Sequence, residues 1–68
     1  MLKAKQIRES KGLSILQVVR QVDVAPSNLS RFERGETNLG TKKLLELSIF
    51  YGVTINELLE EVEPAKAS

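Results

Sequence analysis

Neither cysteine nor histidine occurs among the 68 residues. A disulfide framework and a Cys/His zinc site are therefore both excluded. No group of Asp and Glu has the spacing of a calcium loop, and no cofactor is implied. The chain also lacks a glycine-rich loop to cradle phosphate and a pair of carboxylates set to share a pocket, so it is not read as an enzyme. No apolar run approaches the roughly 20 residues that span a bilayer. At the N-terminus, Lys3, Lys5, Arg8 and Glu9 interrupt any secretory-type apolar segment. Absence of cysteine fits a reducing compartment, so the expected protein is soluble and cytoplasmic, with no membrane partner and no small-molecule ligand implied. Alternation of strand type and internal repeats are missing as well, which leaves helices as the building material.

What remains is one small domain near the lower size limit for folding without staples. Its net charge is only +1, but the charge is unevenly placed. Residues 1–43 hold nine Lys/Arg against four Asp/Glu, and residues 44–68 hold one Lys against five Glu. A domain with one phosphate-facing side and one remote acidic side has this distribution.

Gly12, Pro26, Gly35, Gly40, Gly52 and Pro64 punctuate segments of helical periodicity. The first helix is expected over about Leu2 to Lys11, ended by Gly12. Ser14 with Gln17 forms a capping-box pattern that opens a second helix ending near Gln21 or Val22. Asp23 and Val24 make the turn, Pro26 takes the first position of a third helix, and Gly35 ends it. Glu36 to Gly40 read as a polar loop. A fourth helix runs from Thr41 to Tyr51, with Leu44, Leu47, Ser48 and Tyr51 on one face. Thr54 with Glu57 is a second capping box, and it opens a fifth helix through about Glu61 that buries Leu58 and either Leu59 or Val62. Residues 1–62 thus read as one domain and residues 63–68 as a flexible tail. The fold class is all-α, a compact arrangement of five helices with short loops.

The stretch Ser14 to Gly35 is the most informative. Val18, Val22, Leu29 and Phe32 fall where two crossed helices touch, while Ser27, Asn28, Ser30, Arg31 and Arg34 fall on an outer face. A short rigid helix with one apolar side and one hydrogen-bonding side suits the major groove of DNA.

Three landmarks carry a family resemblance: Gly12-Leu13-Ser14, Ser30-Arg31-Phe32-Glu33-Arg34-Gly35, and Tyr51-Gly52-Val53-Thr54-Ile55-Asn56-Glu57-Leu58-Leu59. In this order and spacing, over roughly residues 3 to 62, the chain resembles the lambda-repressor-like (Cro-type or Xre-type) helix-turn-helix DNA-binding domain. The resemblance implies a five-helix fold with the helix-turn-helix at helices two and three. It makes Pro26, Ser27, Asn28, Ser30 and Arg31 the residues toward base edges. Arg31 would grip guanine O6 and N7 with two donors, and Asn28 would pair with adenine. Ser14, Gln17, Arg34, Asn38, Thr41, Lys42 and Lys43 are expected at phosphates, which fix register and affinity without reading sequence. Arg8 and Glu33 are expected to form a structural ion pair. Four positions depart from the family's pattern. Ile15 replaces a phosphate-touching Gln, Val19 a small Ala, Asp23 a turn Gly, and Ala25 a capping Ser. At Asp23 the backbone must turn left-handed or the turn must change.

Two functions follow. The first is a sequence-specific binder of double-stranded DNA, acting as a homodimer on a short operator to regulate transcription, as a repressor. The second is a protein-interaction module of antitoxin-like or anti-regulator kind. The first leads; the absence of the phosphate-binding Gln and the surplus of apolar residues at Ile15, Leu16, Ile49 and Phe50 motivate the second as the alternative.

Overall fold

A computed structural model describes residues 1–62. Among these residues the elements are α1 (Lys3–Ser10), α2 (Ile15–Val19), α3 (Pro26–Glu33), α4 (Thr41–Tyr51) and α5 (Ile55–Leu59). The expected tail, residues 63–68, lies outside the described residues. α1 packs on α5 and α3, α2 crosses α3, and α4 lies against α5. The five-helix, all-α expectation holds.

Local chemistry explains where the helices start. Before α2, the Ser14 hydroxyl oxygen accepts the Gln17 backbone N–H at 3.1 Å, and Gln17 Oε1 accepts the Ser14 N–H at 2.8 Å. Thr54 and Glu57 repeat this reciprocal box before α5, at 3.1 and 3.0 Å. Each box satisfies two N–H groups that the first turn would otherwise leave without partners. Ala25 offers no side chain to cap α3, and Pro26, which has no N–H to satisfy, takes the first position instead.

The core is drawn from every helix. Phe32, Leu29, Leu47, Leu58 and Val18 are fully buried, and Leu2, Ala4, Ile7, Val22, Leu44 and Tyr51 complete the cluster. Each large member contributes about 1.5–3 kcal/mol through removal from water. The four positions expected at the crossing of α2 and α3, Val18, Val22, Leu29 and Phe32, are all buried. So is the expected inner face of α4: Leu44, Leu47, Ser48 and Tyr51. In α5, Leu58 is buried as expected, whereas Leu59 is 41% exposed. Ile15 is partly buried against the core, but Leu16, Ile49 and Phe50 remain exposed.

The structure corrects two expectations and decides one that was open. First, α2 stops at Val19, short of Gln21. The Val18 carbonyl accepts the N–H groups of both Gln21 and Val22 at 2.9 Å, which winds the chain into a tight turn while Val22 still reaches the core. Second, of the two alternatives open at Asp23 it is the turn that changes, since no residue other than glycine has a positive φ among the described residues. The Val24 N–H bonds the Val22 carbonyl at 2.7 Å, an inverse γ-turn centred on Asp23. Third, Leu2, Glu60 and Glu61 are not helical. Leu2 and Glu61 form an isolated antiparallel bridge, Lys3 N–H bonds the Glu60 carbonyl at 2.7 Å, and Val62 N–H bonds the Met1 carbonyl at 2.9 Å. Extended pairing of residues 1–3 with residues 60–62 supplies the hydrogen bonds that further helix would have made.

A buried ion pair ties these pieces together. Arg8 Nε donates to Glu33 Oε2 at 2.8 Å and Nη2 to Glu33 Oε1 at 3.0 Å, a bidentate fork with side chains only 10% and 3% exposed. Arg8 Nη1 also donates to the Leu13 carbonyl at 2.8 Å. Hydrogen bonding by Glu33 holds the Arg8 guanidinium charged, against the opposing effect of burial. Nearby, the Tyr51 hydroxyl is buried with no protein hydrogen-bond partner among the described residues, and burial pushes its pKa up.

Glu33→Leu should destabilise the domain by about 3–5 kcal/mol in urea denaturation, because it strands a buried guanidinium. Adding Arg8→Met should recover much of that loss, since the apolar pair strands nothing. Tyr51→Phe should be neutral or stabilising by about 1 kcal/mol in the same assay, because it removes a buried hydroxyl without a partner. A clear loss of stability would show that the hydroxyl is satisfied.

Candidate nucleic-acid interface

α3 has two unlike sides. Leu29, Phe32 and Glu33 point inward, so the ordinary helical repeat turns Ser27, Arg31 and Arg34 to the opposite side, with Ser30 beside them. Asn28 and Pro26 flank this strip, and both are exposed. The strip therefore carries two serine hydroxyls and two guanidinium groups on a helix whose other side is locked into the core. Five of these residues are the expected base contacts, and one element presents them all. Arg31 is exposed, and among the described residues it makes no ion pair and no side-chain hydrogen bond, so its five donors have no protein partner there.

Apart from Arg34, the expected phosphate contacts fall into two groups along the chain, one before α3 and one after it. Ser14 and Gln17 sit at the start of α2 and are both exposed. Their capping box consumes acceptors only. The Ser14 hydroxyl proton and the Gln17 amide N–H2 stay available to donate to an anion, although both side chains are already ordered. Ile15 presents no such donor and is half-buried.

The second group lies beyond α3. Gly40, at φ +86°, starts α4 without a side-chain cap, so the N–H groups around Thr41, Lys42 and Lys43 open to solvent at the positive end of an 11-residue helix. A helix start of this kind suits an anion. Lys42 is exposed, as are Asn38 and Thr41, while Leu39 packs against the core and anchors the loop. Lys43 is drawn away, since its Nζ lies 3.6 Å from Asp23 and 3.9 Å from Glu46.

Arg34 is also engaged. Its Nε donates to Glu36 Oε2 at 2.9 Å, its Nη2 to Glu36 Oε1 at 3.4 Å, and its Nη1 to Ser30 Oγ at 3.2 Å. The hydrogen bond to Glu36 raises the Arg34 pKa, and the same bond holds the Glu36 carboxyl below its ordinary range, with Arg31 adding a smaller pull. Sequence reasoning gave Glu36 no role beyond a polar loop. At the start of α5, the backbone N–H of Thr54 lowers the Glu57 carboxyl, with smaller pulls from the Thr54 hydroxyl and from Lys3.

Among the described residues no three His, Cys, Asp or Glu side chains are placed to hold a metal ion, and no helix is long and apolar enough to cross a membrane.

A family model described as helix-turn-helix matches residues 5–58, which takes in all of α2, α3 and α4 and most of α1 and α5. The chain belongs to the lambda-repressor-like helix-turn-helix family. One relative in this helix-turn-helix family is the HTH-type transcriptional regulator DdrOP3 of Deinococcus deserti, 34% identical over 59 residues. That similarity covers 87% of the present chain but 46% of the relative, so the chain spans about half the length of the curated protein it matches.

Ser14→Ala should cost about 1 kcal/mol in thermal or urea unfolding, through loss of the α2 cap. An unchanged stability would mean that the box does not form in solution.

Proposed function

We propose that residues 1–62 form a DNA-binding domain that reads double-stranded DNA in a sequence-specific way, with α3 as the recognition helix. The observation that carries this reading is the outer strip of α3: Ser27, Ser30 and Arg31, flanked by Pro26 and Asn28, on a helix fixed from behind by Leu29, Phe32 and Glu33. Arg31 is assigned to a guanine, with two parallel donors to O6 and N7, and Asn28 to an adenine. Ser27 and Ser30 make shorter and more permissive contacts, and Pro26 offers apolar contact to a thymine methyl. The phosphate set is Ser14, Gln17, Arg34, Asn38, Thr41, Lys42 and Lys43. Membership of the family, the relative's name and the charge bias toward residues 1–43 support this reading.

In the full form of the proposal the chain acts as a homodimer on a short two-fold operator and represses transcription from the cytoplasm. Two recognition helices would then enter the major groove about one DNA turn apart, roughly 34–36 Å.

A second reading keeps the fold and changes the partner. Leu45 and Ile49 stand 50% and 72% exposed on α4, with Leu16 and Phe50 also exposed, and such residues favour contact with protein.

Fluorescence anisotropy against DNA selected by the chain from a random pool separates the two readings. Arg31→Ala should weaken binding to the selected site about 10- to 100-fold while leaving the melting temperature unchanged. Lys42→Ala should weaken selected and random duplexes alike and reduce the salt slope by about one. No binding at low salt, or binding without salt dependence, contradicts the DNA reading.

A further inference from the structure

Arg34 occupies the same outward strip as Arg31, but its hydrogen-bonding fork is already filled. The way the helix ends explains why. Gly35, at φ +80°, closes α3 with its own N–H on the Phe32 carbonyl at 2.9 Å, and the Glu36 N–H then reaches the Arg31 carbonyl at 2.9 Å. The left-handed residue and its paired return bonds make a C-terminal cap that folds the chain back toward the last turn. Glu36 is thereby delivered beside Arg34, two positions earlier, and meets two of its nitrogens. The third nitrogen rests on Ser30 Oγ.

A carboxylate offers a guanidinium two anionic oxygens in much the same planar fork as a phosphate does. Both Arg34 and Glu36 are about half exposed, so the pair sits where a nucleic-acid backbone would approach and is open to exchange. We propose that Glu36 is an intramolecular stand-in for a DNA phosphate on Arg34, which backbone binding must displace, so that Glu36 limits the affinity of the domain. This inference rests on the DNA reading above.

In the free chain Arg34 is neutralised by Glu36 and ordered against Ser30. On DNA, Arg34 moves to a phosphate and Glu36 gives up its partner to water. Exposed pairs of this kind shift equilibria by a factor of up to about five. The exchange also releases Ser30 Oγ, so the state of Arg34 decides what Ser30 offers to a base edge.

The test compares the full chain with Glu36→Gln, Arg34→Gln and the double variant. Each is titrated with selected and random duplexes across about 50–200 mM salt. Glu36→Gln should bind about two- to five-fold more tightly, because Arg34 no longer has to leave a carboxylate to reach its phosphate. In the Arg34→Gln background the same change should give little or no gain. Equal binding by Glu36→Gln and the parent chain overturns the inference. So does a gain that persists undiminished without Arg34, since Glu36 would then act on DNA directly as a like charge. Failure of every protein to bind at low salt overturns the DNA reading and this inference together, whereas binding without a Glu36 effect overturns this inference alone.

A DNA-free readout tests the pairing itself. The Glu36 carboxyl, followed by carbon NMR, should titrate at lower pH in the parent chain than in Arg34→Gln. Identical titrations contradict the pairing.

Discussion

The bidentate bond between Arg8 and Glu33 is the constraint on which the rest of this small domain depends. Two charges have been taken out of water, and the attraction between them does little more than offset that transfer. Its value is therefore positional. Arg8 stands at the end of α1, holds the carbonyl of Leu13 just before α2, and grips Glu33 at the end of α3. The Glu33 backbone carbonyl in turn accepts the Leu2 N–H at 2.8 Å, beside the bridge that joins Leu2 and Glu61. One guanidinium thus fixes how α1, the entry to α2 and the end of α3 lie relative to one another. A misplaced α3 would strand a buried charge, a penalty that an apolar contact of the same size would not impose.

Because α3 is held so firmly from behind, its outer strip can be polar without loss of fold. The strip consists of small hydroxyls and guanidinium groups on a short helix, and further donors stand at the start of α2 and the start of α4. Order is supplied in advance where the Ser14–Gln17 box fixes two polar side chains at the start of α2. A surface arranged before its ligand arrives loses less side-chain freedom on binding.

Features that depend on near neighbours were readable in the amino-acid sequence. Both capping boxes follow from a residue and its third successor, and the inner face of α4 follows from the helical repeat. The Arg8–Glu33 pair joins residues 25 positions apart, and only the resemblance to a known family pointed to it. The pairing of residues 1–3 with residues 60–62 was invisible for a similar reason, since nothing local in Leu2 or Glu61 announces a bridge between them. The end of α2 was overestimated because Val22 continues the apolar pattern while its backbone has already left the helix. Glu36 is the instructive case. It lies two residues from Arg34, a spacing that on a helix keeps side chains apart, and only the left-handed turn at Gly35 brings them together.

Backbone amide NMR of the labelled chain, titrated with a DNA duplex, tests the central claim most directly. The account predicts that shifts concentrate at Ser27, Ser30, Arg31 and Arg34 and at Thr41 to Lys43, while the amides of Leu45, Ile49 and Leu59 stay still. Shifts centred on Leu45, Ile49 and Phe50, with α3 silent, would contradict it.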